Sequence, residues 1–125
     1  MIKGLGIDTV TISEVGRFLE SETIARKVFT EGENATAKLE SDPADYYARC
    51  FATKEAAFKA LDHLMGGEAF DFTMVETLHH TDGAPYINPS SELTDLLKNV
   101  GVDELLLSCT TEGDFATAIV IAQGK

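Results

Sequence analysis

Between Asp42-Pro43 and Gly66-Gly67 runs the segment "ADYYARCFATKEAAFKALDHLM", which contains no residue that would break a helix. Asp42 can accept hydrogen bonds from the first unpaired amides, and Pro43 suits the first turn, where its missing N–H costs nothing. Gly66 can adopt the left-handed backbone that ends a helix. A helix this long must be the central element of a 125-residue chain, with everything else packed around it. At about 100° per residue, Tyr47, Phe51, Phe58, Leu61 and Met65 gather into one apolar stripe. Lys54 falls inside that stripe, Glu55 on its edge, and Lys59 one turn beyond Glu55. A Glu55–Lys59 pair at i,i+4 is favourable on any helix surface, and lysine stems lie readily along apolar surface. Part of the charge pattern therefore needs no functional explanation.

The remaining segments supply strands and short helices. Residues 1–10 read as a strand, with Leu5 and Ile7 on one face and Gly4, Gly6 and Asp8 on the other. Thr11 or Ser13 can cap a helix reaching about Leu19, and Ser21 a second one stopping near Gly32. The polar segment 31–41 has no clear period and is expected to be a loop holding one helical turn. "FDFTMVETLHH" suggests a strand, "TDGAPYI" a turn into a short strand, and "PSSELTDLLKNVG" a further helix. "ELLLSCTT" and "FATAIVIAQ" read as two strands joined at Glu112-Gly113-Asp114, a hairpin signal. These elements predict a single α+β domain over residues 1–125, with a mostly antiparallel sheet of three to five strands and a long core helix.

The net charge of −11 argues against nucleic-acid binding, which needs a basic field, and against an anionic membrane surface. No apolar run is long enough to span a bilayer, and the first residues lack signal-peptide features, so a cytoplasmic location is expected. Cys50 and Cys109 have no metal-type spacing and sit in apolar surroundings, the pattern of buried reduced thiols. His63, His79 and His80 make no metal signature.

Asp8 follows two glycines on one strand face, a bare surface that another backbone or a ligand can approach closely. If Asp8 and Glu55 converge, two carboxylates with waters and substrate phosphates make a Mg²⁺ site, because that ion takes hard oxygen ligands and retains water. Lys59, one turn away, could then meet phosphate charge. The residues by themselves lead to a candidate metal–phosphate site.

Two blocks, "GIDTV" at 6–10 and "FATKEAAFKAL" at 51–61, resemble the holo-acyl-carrier-protein synthases of the 4′-phosphopantetheinyl transferase superfamily. The spacing between the blocks, the "GAPYI" turn and the closing strand pair fit the same family. The resemblance implies transfer of 4′-phosphopantetheine from coenzyme A to a serine of an acyl or peptidyl carrier protein. It implies that Asp8 and Glu55 hold Mg²⁺, and that Glu55, through a water, helps deprotonate the serine. Lys59 would stabilise or protonate the departing phosphate, and Lys54, Lys59 and Gly66 would contact coenzyme A. It also implies a homotrimer with the site between protomers.

The sequence departs from that family where anions would bind. Glu14 stands at a position usually held by arginine, and Cys50 at another, with Arg49 displaced by one residue. Asp62 and Leu64 replace glycines, and Thr111 replaces a histidine. Glu14, Glu20 and Glu22 stand against a single Arg17 on the segment expected to dock an acidic carrier. These changes predict weaker coenzyme A binding than in a typical member. They also leave open an alternative, a non-catalytic paralogue that binds a carrier-like protein.

Overall fold

The computed structural model describes residues 1–125. The elements run β1 (Ile2–Thr11), α1 (Ile12–Phe18), α2 (Glu22–Val28), α3 (Glu31–Ala37) and α4 (Pro43–Met65), then β2 (Val75–His79), β3 (Pro85–Pro89), α5 (Ser91–Asn99), β4 (Glu104–Glu112) and β5 (Phe115–Gln123). A single 3-10 turn, Phe72–Met74, leads into β2. The strands form two antiparallel sheets, one ordered β1-β5-β4 and the other β2-β3. This is the expected α+β architecture, with its five strands divided between two sheets. No helix is long and apolar enough to cross a membrane.

The long helix begins and ends where its residues require. Asp42 accepts from the Asp45 amide at 3.2 Å, Pro43 occupies the first turn, and Gly66 closes the helix at φ 60°. What it buries differs from the expected aromatic stripe. Ala52, Ala56, Ala57 and Ala60 are fully buried, whereas Phe58 remains 37% exposed. The alanines face β1 and β5, whose inward residues are equally small: Gly4 and Gly6 on β1, and Ala116, Ala118, Val120 and Ala122 on β5.

Small residues on both sides bring backbone against backbone. A Cβ on Gly6 would fall 1.9 Å from the Ala56 carbonyl oxygen, and one on Gly4 equally close to that of Ala60. The bare glycine face therefore receives the helix itself. Gly6→Ala should force α4 off β1 and lower stability by about 1–3 kcal/mol or more, the usual cost of overpacking. Urea denaturation would measure it, and an unchanged midpoint would refute this account of the contact.

The 31–41 segment is more ordered than its polarity suggests. It contains a two-turn helix, α3, opened by a reciprocal cap in which Thr30 Oγ1 accepts from the Glu33 amide and Glu33 Oε1 from the Thr30 amide. Glu33 is fully buried, for reasons that lie in α4.

The opposite face of the three-stranded sheet is apolar and open. Leu5 and Ile7 are 59% and 58% exposed, and Leu106 is 42%. The register sets Leu5 and Leu106 on either side of Ile121, and Ile7 beside Ile119.

Candidate active site

Asp8 lies on the same face of β1 as the two glycines, opposite Ala118 of β5, and so it points towards α4. Lys59 reaches back from α4 to meet it. The Lys59 ammonium donates to Asp8 Oδ1 at 2.7 Å and to the Ile7 carbonyl at 3.1 Å. Asp8 is largely buried there, and the lysine is half exposed. Glu55 stands one turn earlier on the helix, partly buried, and none of the chain's ion pairs uses its carboxylate. Burial pushes the Glu55 carboxyl above its ordinary range, the Asp8 charge pushes it the same way, and Lys59 draws it back. That mutual influence places Asp8, Glu55 and Lys59 in one electrostatic neighbourhood.

No cluster of three or more His, Cys, Asp or Glu side chains gathers in the chain; two carboxylates alone would suit a hard divalent cation that keeps most of its waters. A softer metal would want imidazole or thiolate, and neither is part of this group.

Aromatic rings frame Glu55. Phe51 and Phe58 precede and follow it by four and three residues, the spacings that share a helix face. Phe51 packs edge-on against Phe72, with ring centroids 5.7 Å apart, and Phe58 against Phe70 at 5.3 Å. Phe70 and Phe72 touch each other at 6.1 Å, and Phe18 of α1 meets Phe51 at 5.2 Å. Phe70 and Phe72 also line an open groove of about 800 Å³, together with Arg26 and Lys27 of α2.

Lys54 is not part of this site, which corrects its expected contact with coenzyme A. It is fully buried, paired with Glu33 Oε1 at 2.8 Å. Its ammonium also donates to the Phe72 carbonyl at 2.9 Å and to that of Val75. Lys54 and Glu55 are neighbours in sequence, but about 100° of rotation sends one side chain inward and leaves the other at the edge. Sequence reading missed Glu33 altogether. Its signal was present, because Thr30-x-x-Glu33 has the capping-box spacing that marks a helix start.

The remaining residues are placed as follows. Gly66 closes α4 and is exposed, about 10 Å along the axis from Lys59 at 1.5 Å per residue. Arg49 is engaged by acids, through Nε to Asp45 Oδ1 at 2.9 Å and through its guanidinium to Glu40 at 3.6 Å. Cys50 is fully buried, and burial pushes its thiol well up, so it is an inert core residue. Cys109 is half-buried, and its thiol is also raised by burial. Asp62 is exposed one turn beyond Lys59, and Glu14 is exposed in the first turn of α1. Thr111 is partly buried on β4, opposite Ala116.

Asp8 of the first strand is thus paired with Lys59 of the central helix, with Glu55 one turn earlier on that helix. Residues 4–120 match the 4′-phosphopantetheinyl transferase superfamily. The chain is 36% identical to the holo-[acyl-carrier-protein] synthase of Syntrophotalea carbinolica, over 99% of its own length and 98% of that protein's. The holo-[acyl-carrier-protein] synthase of Neisseria meningitidis superposes with a TM-score of 0.88 at 27% identity, covering 98% of this chain and 99% of that one. A synthase–coenzyme A complex from Chronobacterium ammoniagenes superposes with a TM-score of 0.84 at 26% identity, covering 98% and 97% of the two chains. The chain belongs to the holo-[acyl-carrier-protein] synthase family.

Proposed function

We propose that residues 1–125 act as one domain that transfers 4′-phosphopantetheine from coenzyme A to a serine of an acyl carrier protein in the cytoplasm. The observation that carries this reading is the Asp8–Lys59 pair where β1 and α4 touch, with Glu55 one turn earlier on the same helix. The serine oxygen attacks the phosphorus that bears the pantetheine arm, and the bond from that phosphorus to the bridging oxygen breaks. Adenosine 3′,5′-bisphosphate then leaves. Glu55 takes the serine proton through a water, a role favoured by its raised carboxyl. Lys59 supplies a donor and positive charge to the departing phosphate. A Mg²⁺ held by Asp8 and Glu55 would neutralise the diphosphate. Positioning and charge neutralisation do most of the work in such displacements. Gly66, at the end of the same helix, offers a further contact for coenzyme A.

The decisive experiment mixes the protein, Mg²⁺, coenzyme A and a panel of apo-carrier proteins and measures carrier mass. A gain of one phosphopantetheine on any carrier supports the proposal. A uniformly negative panel with folded protein selects the non-catalytic paralogue.

We further propose a homotrimer. The support is the open apolar face of Leu5, Ile7, Leu106, Ile119 and Ile121, a contiguous patch of the kind that marks an interface between chains. Light scattering should give three times the chain mass at micromolar concentration, and Ile119→Glu should shift it to monomer. A stable parent monomer would refute the assembly.

A further inference from the structure

Glu33 and Lys54 are both fully buried, and together they join three segments of chain. Glu33 Oε1 accepts from the Thr30 amide at 3.0 Å and Oε2 from the Thr77 amide at 2.9 Å, tying α3 to β2. The Lys54 ammonium holds the Phe72 and Val75 carbonyls, tying α4 to the 3-10 turn. Phe72, one of the two residues whose carbonyls Lys54 grips, rests its ring on Phe51 and Phe70, and Phe70 in turn rests on Phe58. Those are the rings that bracket Glu55.

We infer that the Glu33–Lys54 pair positions the catalytic face of α4, holding the Phe70–Phe72 segment against the helix so that the aromatic frame around Glu55 keeps its shape. This rests on the transferase reading for its effect on turnover, though not for its effect on the segment itself. Neither residue touches substrate, and both act through the segment they fix. A buried ion pair is a costly way to gain stability alone, since apolar residues of similar volume often serve as well. Its presence is explained if the pair specifies one arrangement of segment 70–77.

The test compares Lys54→Met, Glu33→Gln and the double variant with the parent, at a temperature where all are folded. Removing both charges leaves no buried unpaired ion, so the double variant should regain most of the thermal midpoint that Lys54→Met loses. The Phe72 and Val75 carbonyls still lack their ammonium, so kcat should stay about 10–100-fold below the parent, the scale of a small misplacement. KM for coenzyme A should stay within about twofold, because no binding group has been removed. Amide hydrogen exchange in 70–77 should stay at least about tenfold faster, with the rest of the chain unchanged.

If the double variant recovers midpoint, kcat and exchange together, the pair is only structural and the inference fails. Should it fail to regain stability, acceleration confined to 70–77 still supports the inference, and acceleration spread over the chain overturns it. If the parent transfers nothing to any carrier, the transferase reading falls, while the exchange comparison still decides whether the pair fixes this segment.

Discussion

Glu55→Gln is expected to lower turnover about 10²–10⁴-fold, the range for losing a positioned general base, without loosening the fold. The amide keeps the size of the carboxylate but can neither accept a proton nor offer a full charge to a cation. The accompanying stability change has a sign that can be worked out. Burial and Asp8 raise the Glu55 carboxyl in the folded chain, so the ionised form is less favourable there than in the unfolded one. A neutral amide is free of that penalty at neutral pH, so the thermal midpoint should hold or rise slightly. Carrier mass against time measures the first effect and a melting curve the second. Near-parent turnover would remove Glu55 from the mechanism. A collapse of the midpoint would mean that its carboxylate is structural.

Lys54→Met should act chiefly on stability, with the smaller loss of turnover that follows from releasing segment 70–77. With its cation gone, Glu33 is left buried with a charge that two backbone amides only partly satisfy. Breaking a buried pair from one side costs about 3–5 kcal/mol, which in a chain of this size lowers the midpoint by roughly 10–20 °C. Lys59, five residues along, provides the contrast. Its partner Asp8 is largely buried but Lys59 itself is half exposed, so Lys59→Met should lower the midpoint less than Lys54→Met while damaging turnover. Calorimetry on the two variants, at equal protein concentration, separates the lysine that builds from the lysine that reacts. Equal midpoints would overturn the distinction.

The sequence made some of this arrangement readable and hid the rest, for physical reasons. Asp42-Pro43, Gly66 and the Glu112-Gly113-Asp114 turn are local signals that need only their neighbours, and they marked α4 and the β4–β5 hairpin closely. Asp8 and Glu55 could be paired as candidates because each lay on an identifiable face. The rotation of α4 was misjudged because aromatic residues dominate a hydrophobicity wheel, whereas the closest contacts in this fold are made by alanines. Phe51 and Phe58 border the site instead of filling the centre of the core. The pairing of Lys54 with Glu33 was hidden because Glu33 lies in a segment whose composition suggested a loop. Long-range pairing of that kind leaves no trace in periodicity.

Where β1 and α4 meet through Gly4, Gly6, Ala56 and Ala60, the nearest atoms are the Ala56 and Ala60 backbone carbonyls, which cannot change rotamer to absorb a substitution. These four positions are therefore closed to drift towards anything larger, whatever their distance from the reacting atoms. Substitution meets far less resistance on α1, at the end of α4 and at the rim of β4, where Glu14 and Asp62 are exposed and Thr111 is partly buried. A chain built this way can change its partners over evolutionary time far more easily than it can change the gap between its two carboxylates.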